Sequence, residues 1–255
     1  MRKLWSVLFF SVLFIGAMAQ GKVIEGLTMK SKTVSYNVNY SVYLPPDYDL
    51  SKRSYPVLYL LHGYTDNETA WVQFGEVNRI ADKAIEDGTI PPMIIVMPDA
   101  KVTWYVNNHS GKDNYEDMMI KEFIPHVEKQ YRIRSQREFR AVSGLSMGGN
   151  GALMWAMRHP ELFAACAAFS SAVFTDEEII SGVKNDDNDW FERIYGKMMN
   201  DETPKHWKDM SVLYMVERMK KEELSRVKYY IDCGDDDFLY RGNAALHIAL
   251  RKKEV

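Results

Sequence analysis

Gly144-Leu145-Ser146-Met147-Gly148 is the stretch that decides the fold, because this serine stands between an apolar run and a helical pattern. The apolar run ends at Val142, and the helical pattern covers residues 149–158. Glycine on either side of the serine allows a sharp turn from strand to helix, which lifts the hydroxyl above a sheet. The stretch therefore predicts a strand, a tight turn that exposes Ser146, and a helix. A glycine-rich turn with only a structural role is the alternative.

Short apolar runs and helical patterns alternate on both sides of this turn. Continuous apolar runs are typical of strands that are covered on both faces. The runs are residues 56–61, 93–97, 139–142, 163–169 and 227–231, and the helical patterns are residues 77–86, 116–131, 149–158 and 244–253. Residues 34–44 alternate between apolar and polar, which predicts a half-buried strand. The order predicts an α/β fold with a mostly parallel central sheet and helices on both faces.

Composition and charge narrow the possible functions. The chain has 255 residues, of which 46% are hydrophobic, and a formal net charge of −3. A chain of this length can bury a large core. It contains no long basic run, so we expect no nucleic-acid partner. Cys166 and Cys233 stand in apolar segments, where we favour free, buried thiols over a disulfide bridge.

The first nineteen residues have the layout of a secretory signal peptide. Arg2 and Lys3 precede an almost wholly apolar run over residues 4–15, and Ala17-Met18-Ala19 matches a cleavage site. A membrane anchor is the alternative, but a spanning helix needs roughly 20 apolar residues. We therefore expect residues 1–19 to be a signal peptide and residues 20–255 to form the domain. We also expect a secreted or periplasmic location without stable membrane insertion.

A second motif, Leu60-Leu61-His62-Gly63-Tyr64, ends an earlier predicted strand. A loop in this position supplies one backbone N–H to an oxyanion hole, and the residue after the nucleophile supplies the other. We therefore predict the N–H groups of Tyr64 and Met147 as the oxyanion donors. The His62 side chain is interpreted as a brace for the loop rather than as a base.

An acidic loop, Cys233-Gly234-Asp235-Asp236-Asp237, follows the last predicted strand. Hydrolases with this strand–turn–helix arrangement place an acid after such a strand, downstream of the serine. We favour Asp237 as that acid, with Asp235 next, and leave open which of the three aspartates acts. A solvated acidic turn is the alternative.

Aromatic residues outside the predicted core leave two questions open. Residues 174–210 are polar and acidic but contain Trp190, Phe191 and Trp207. This segment is either a solvated excursion or a lid over a substrate pocket. Trp104 and Tyr105 could likewise stack on sugar or phenolic rings or lie in the core.

Together these motifs resemble the esterase D and carbohydrate esterase family 1 group of α/β-hydrolases. The group includes feruloyl esterases, acetylxylan esterases, S-formylglutathione hydrolases and mycolyltransferases. The resemblance runs from about Val34 to the C-terminus. It rests on residues 43–48, 60–63 with Trp71, Pro98-Asp99, residues 122–125 with Tyr131-Arg132, residues 144–149, and Gly234 with Asp237.

The resemblance implies an α/β-hydrolase fold and ester hydrolysis through Ser146, without a metal or organic cofactor. It also implies a triad histidine in a loop about 30 residues beyond the aspartate, in the order serine, aspartate, histidine. The sequence ends at Val255, and His247 is the only histidine after Asp237. Because His247 falls in a helical pattern, we expect the general base to lie beyond Val255.

The expected substrate is a small-molecule ester or an esterified polysaccharide. Because we expect the protein to be exported, feruloyl or acetyl groups on plant cell-wall polysaccharide are favoured as substrates over a cytosolic thioester. A siderophore esterase or a general short-chain esterase is the enzymatic alternative, and a non-catalytic carbohydrate-binding protein is the alternative of another class. The sequence leaves the oligomeric state open.

Overall fold

A computed structural model describes residues 20–184 and 189–255 of the chain. The predicted signal peptide, residues 1–19, and part of the acidic run, residues 185–188, lie outside the described residues. Within the described ranges, no helix has both the length and the apolar character required to cross a membrane.

The described residues form a seven-stranded sheet in the order β1-β2-β4-β3-β5-β6-β7. The strands are β1 Lys22–Lys30, β2 Asn37–Leu44, β3 Val57–Leu61, β4 Ile94–Pro98, β5 Arg140–Leu145, β6 Ala165–Phe169 and β7 Lys228–Asp232. Strands β1 and β2 pair antiparallel, as do β2 and β4, and all other neighbours are parallel. The predicted mostly parallel sheet is thus present.

Eleven α-helices lie in the described residues, ten of them between strands and α11 after β7. They are α1 Ala70–Gln73, α2 Val77–Glu86, α3 Tyr115–Met118, α4 Ile124–Gln130, α5 Met147–Arg158, α6 Asp176–Lys184, α7 Trp190–Tyr195, α8 Lys205–Met210, α9 Val212–Arg218, α10 Lys221–Leu224 and α11 Tyr240–Lys252. A π-helical turn, Met119–Phe123, joins α3 to α4, and a 3₁₀ turn, Arg137–Phe139, precedes β5.

The sheet has a hydrophobic cluster on each face. Successive residues of β3 belong alternately to the two clusters. Its Val57, Tyr59 and Leu61 side chains belong to the larger cluster, which includes much of α5. Leu58 and Leu60 point to the smaller cluster, which includes Ala81 and Ile85 of α2. Alternate strand residues face opposite sides of a sheet, so a continuous apolar run is buried on both faces.

Three strand predictions differ from the structure. Strand β1 was not predicted, because Gly26, with φ of +70°, interrupts its alternation where the register shifts. Strand β2 begins at Asn37 rather than at residue 34. It is buried on both faces instead of half-buried, because β1 protects its outer edge and α2 covers Tyr43.

The helix predicted over residues 116–131 contains an irregular turn. Pro125 lies in the first turn of α4, and the π-helical turn Met119–Phe123 directly precedes that helix. Proline has no N–H group to donate to the carbonyl four residues earlier, so a wider turn is favoured there. Elsewhere α5 and α11 start two and four residues before the predicted patterns, at Met147 and Tyr240.

Both cysteines are free, as predicted. Cys166 is buried in β6, and this burial raises the pKa of its thiol. Cys233 is only half-buried, because it follows the edge strand β7. The prediction of a buried thiol is therefore confirmed for Cys166 and wrong for Cys233.

Two helical glycines give a matched test of how closely α11 packs. A Cβ atom on Gly242 of α11 would stand 1.7 Å from the carbonyl oxygen of Val173, whereas one on Gly182 of α6 would meet nothing within 4 Å. We expect Gly242→Ala to lower the free energy of unfolding by about 2 kcal/mol or more, since the backbone must move. Gly182→Ala should raise it by up to about 1 kcal/mol through helix propensity. Urea unfolding measures both, and equal effects would contradict the close approach.

Candidate active site

The backbone of Ser146 adopts a strained conformation between β5 and α5. Its φ is 55° and its ψ is −116°, a region that residues with side chains rarely occupy. Three hydrogen bonds hold it there. The Ser146 N–H donates to the Phe169 carbonyl at 3.0 Å, and its carbonyl accepts from Asn150 N–H at 3.0 Å and Ala172 N–H at 2.8 Å. The predicted turn is therefore fixed by β6 and by the first turn of α5.

Glycines on both sides of Ser146 are required by close backbone approaches. A Cβ atom on Gly144 would lie 2.3 Å from the Gly148 carbonyl oxygen, and one on Gly148 would lie 2.4 Å from the Leu61 carbonyl oxygen. Only hydrogen fits at such distances. The same contacts bring the start of α5 against the end of β3.

Strand pairing places the His62–Tyr64 loop beside the nucleophile turn. Leu61 is the register partner of Gly144, and a Cβ atom on Gly63 would lie 3.9 Å from the Ser146 Cβ. Within residues 20–184 and 189–255, neither Tyr64 N–H nor Met147 N–H donates a hydrogen bond. Both N–H groups therefore remain available for an oxyanion, and their role stays a prediction.

Side-chain donors hold three consecutive carbonyl groups of this loop. The Trp71 indole donates to Leu61 O at 3.0 Å, the Tyr105 hydroxyl donates to His62 O at 3.0 Å, and His62 Nδ1 lies 2.7 Å from Gly63 O. The carbonyl groups are thus oriented before any ligand arrives, which lowers the reorganisation needed during a reaction. These contacts agree with a bracing role for the His62 side chain.

Among the three aspartates after β7, only Asp237 has a carboxylate that accepts hydrogen bonds from described residues. Its Oδ1 atom accepts the Leu239 N–H at 2.8 Å. That bond, followed by a bond from the Ser170 hydroxyl, lowers the pKa of the Asp237 carboxyl. No described residue donates a hydrogen bond to the carboxylate of Asp235 or Asp236. The structure thus separates Asp237 from its neighbours without testing its role.

Sequence reasoning did not find Ser170. It follows β6 in a left-handed conformation with φ of 38°, and its N–H donates to the Asp232 carbonyl at 2.9 Å. It reaches Asp237 because β6 and β7 are parallel neighbours. No local motif marks this serine, so only the strand order could have revealed it.

No histidine side chain in the described part of the chain forms a hydrogen bond with Ser146 Oγ. Four of the six histidines have other side-chain partners, and His247 lies on α11 beside a groove. The partners are Gly63 and Ala100 for His62, Tyr40 for His126, Glu116 for His159 and Asn107 for His206. The general base that Ser146 needs is not identified among them.

An aromatic cluster lies next to the His62–Tyr64 loop. The Trp104 ring is 6.0 Å from Tyr64, 6.1 Å from Phe174 and 4.6 Å from Trp190, on which it stacks. The neighbouring Tyr105 is fully buried. Both residues therefore belong to the core, and Trp104 also joins the loop to α7.

The segment over residues 174–210 is anchored by buried aromatic side chains. Phe191 and Trp207 are buried, 5.5 Å apart, and thus pin the segment to the core. Trp190 instead faces the Trp104 cluster beside the oxyanion loop. The described part of this segment is therefore anchored, and its role as a lid stays a prediction.

A mostly parallel sheet that presents a strained serine between a strand and a helix defines an α/β-hydrolase type of protein. The family comparison agrees with this class. The chain belongs to the Esterase family, whose model matches residues 31–253.

Similar proteins are carboxylic-ester hydrolases. A solved ferulic acid esterase is 31% identical, with a TM-score of 0.78 over 92% of this chain and 87% of that one. An acetyl esterase of Caldicellulosiruptor saccharolyticus is 25% identical over 234 residues, covering 88% of this chain and 85% of the relative. An endo-1,4-beta-xylanase/feruloyl esterase of Xylanibacter ruminicola is 34% identical over 163 residues, or 61% of this chain.

The curated relatives differ in how much of their length this chain matches. The match spans 22% of the Xylanibacter protein and 30% of two Mycobacterium tuberculosis esterases. Such proteins contain further sequence outside the matched part. The comparison therefore establishes an esterase domain here.

Proposed function

We propose that this chain is a secreted serine carboxylic-ester hydrolase that acts on feruloyl or acetyl esters of plant cell-wall polysaccharide. The observation that carries the proposal is the strained, half-exposed Ser146, with two unpaired N–H groups beside it. The combination of φ 55° and ψ −116° is unfavourable for a residue with a side chain, and such strained positions cluster at active sites.

The proposed chemistry is acyl transfer through Ser146. Its oxygen attacks the ester carbonyl as a histidine takes the hydroxyl proton, and the N–H groups of Tyr64 and Met147 hold the oxyanion. The proton then passes to the departing alcohol, which leaves an acyl-serine. Water attacks this intermediate with the same base, releasing the acid and restoring Ser146. Asp237 orients the imidazole and stabilises its charged form.

The general base is proposed to be a histidine whose imidazole is oriented by Asp237. Strand β7 pairs on one side with β6, and no described strand pairs with its other side. A groove of about 550 Å³ lies there, lined by Cys233, Asp235 and His247. This groove adjoins the Asp237 loop, where the proposed acid and base would meet.

The substrate proposal draws on the relatives and on the aromatic cluster. Similar proteins include a feruloyl esterase, a ferulic acid esterase and an acetyl esterase. The exposed Tyr64 ring, which packs against the buried Trp104 ring close to the nucleophile turn, offers an aromatic surface for a phenolic acyl group. Secretion follows from the signal-peptide layout of residues 1–19 and suits a polymeric substrate.

Three substrates test the proposal against its alternatives. Methyl ferulate, acetylated xylan and a simple acetate ester are incubated with the protein and with its Ser146→Ala variant. We expect Ser146-dependent release of ferulate or of acetate from xylan. A protein that cleaves only the simple ester would be a general short-chain esterase, which contradicts the polysaccharide assignment.

The origin of the base is tested by adding imidazole to the 255-residue chain. Free imidazole can replace a missing general base, so methyl ferulate hydrolysis should rise with imidazole concentration. The Ser146→Ala variant in the same buffer is the blank. A fully active chain without imidazole would show that the base is already present. Binding of xylan with no hydrolysis under either condition would favour a carbohydrate-binding protein.

A further inference from the structure

The His62 imidazole is buried between the oxyanion loop and the segment that follows β4. Its Nδ1 atom lies 2.7 Å from the Gly63 carbonyl oxygen, and its Nε2 atom lies 2.8 Å from the Ala100 nitrogen. A carbonyl can only accept and an amide N–H can only donate. The partners therefore assign a neutral ring with its proton on Nδ1. The Asp99 carboxylate, 3.6 Å from Nε2, is beyond hydrogen-bond distance.

The Ala100 amide is itself oriented by a buried tyrosine. The carbonyl of Asp99 and the N–H of Ala100 belong to the same peptide group. The Tyr115 hydroxyl donates to that carbonyl at 3.0 Å, and the Tyr115 side chain is fully buried. Tyr115 therefore fixes the plane of the peptide whose N–H donates to His62.

Through its Nδ1 atom, the His62 imidazole orients the Gly63–Tyr64 peptide, as Tyr115 orients the Asp99–Ala100 peptide. The Gly63 carbonyl, which accepts from His62, shares a peptide group with the N–H of Tyr64. The Asp66 N–H is a second, longer donor to this carbonyl, at 3.2 Å. Fixing the Gly63 carbonyl on one side of the peptide fixes the direction of the Tyr64 N–H on the other.

We propose that Tyr115 is a positioning residue for the oxyanion hole, acting through His62 on the Tyr64 N–H. The links are Tyr115 O–H to the Asp99–Ala100 peptide, that peptide to His62, and His62 to the Gly63–Tyr64 peptide. Every donor points the same way along this chain, so each bond polarises the next and strengthens the final N–H as a donor. The inference rests on the proposed function, because it concerns the donor to an ester oxyanion.

The strength of the oxyanion hole is measured with an arylboronic acid. Its adduct with Ser146 Oγ is tetrahedral and directs one oxygen into the hole, whereas the product ferulate does not form such an adduct. The two affinities are compared for the 255-residue chain, Tyr115→Phe, His62→Asn and His62→Leu. Asparagine keeps an N–H donor at the same number of bonds from the backbone as Nδ1, and leucine keeps none.

The matched control is Tyr43→Phe. Tyr43 is also fully buried, and its hydroxyl donates to Asp82 at 2.6 Å, in the cluster on the other face of the sheet. The substitution removes a buried hydroxyl of equal kind without touching the chain to Tyr64. It separates loss of stability from loss of orientation, and thermal unfolding of every variant is recorded alongside.

We expect Tyr115→Phe to weaken boronate binding about tenfold while ferulate binding changes by less than about twofold, since one buried bond in the chain is lost. His62→Leu should weaken boronate binding about a hundredfold, and His62→Asn should recover most of that loss. In the double variant, Tyr115→Phe should add nothing to His62→Leu, because both act through one chain. Tyr43→Phe should leave both affinities unchanged.

Additive effects, or equal losses of boronate and ferulate affinity in Tyr115→Phe, would overturn the inference. Nitrogen NMR of histidine-labelled protein gives an answer even if His62→Leu does not fold, because it reports the tautomer of the unaltered chain. A proton on Nε2 of His62 would overturn the inference and leave the proposed function standing. Failure of the unaltered chain to form a Ser146 adduct even with imidazole present would instead overturn the proposed function.

Discussion

Replacing Ser146 by alanine should reduce ester hydrolysis to the rate of protein-free buffer. Where the base is in place we expect a loss of about 10⁴-fold or more in kcat/KM for methyl ferulate, the scale seen when a serine nucleophile is removed. The physical reason is that alanine leaves no atom to carry the acyl group. Initial rates of ferulate release measure the effect, with the folded state of the variant checked by thermal unfolding.

Ser143→Ala is the control for this substitution. Ser143 is a buried residue of β5, three positions before the nucleophile. Its replacement removes a hydroxyl from β5 but leaves the turn at Ser146 unchanged, so the rate should stay within about twofold. Hydrolysis that persists in Ser146→Ala would mean that the strained turn is not the reaction centre.

Replacing Asp237 by alanine should lower kcat/KM by about a thousandfold in protein whose histidine base is part of the fold. The Leu239 N–H, followed by the Ser170 hydroxyl, lowers the pKa of this carboxyl. An orienting acid has its full effect only on a base that the protein holds in place. When imidazole in solution supplies the base, the loss should therefore shrink to about tenfold or less.

Asp235→Ala and Asp236→Ala are the matched controls within the same loop. Neither carboxylate accepts a hydrogen bond from a described residue, so we expect each variant to keep its rate within about twofold. The measurement is kcat/KM for methyl ferulate in the preparation that shows Ser146-dependent turnover. A thousandfold loss in Asp235→Ala with normal activity in Asp237→Ala would reassign the acid.

The sequence was sufficient for the parts of the site that depend on local geometry. The turn at Ser146 was predicted because glycines two residues away are a direct requirement of its backbone, and the structure shows why at Gly144 and Gly148. The apolar runs identified the central strands for a similar reason, since burial on both faces excludes polar residues from them.

Parts that depend on which strands are neighbours could not be predicted. Ser170 reaches Asp237 only because β6 lies beside β7, and Ala100 reaches His62 only because β4 lies beside β3. Strand β1 was missed because Gly26 interrupts its alternation and only Met29 of its nine residues is buried, so that pairing with β2 alone defines it. The base remains unassigned because no described histidine contacts Ser146.

The position of β3 between β4 and β5 affects how the protein folds. The oxyanion loop follows β3 and the nucleophile follows β5, so the two halves of the site meet only after the long intervening segment has closed. Parallel pairings between distant segments form slowly, because the entropy of closing the loop is lost before their contacts stabilise the chain. Labelling of Ser146 during refolding should consequently lag behind the recovery of helical signal.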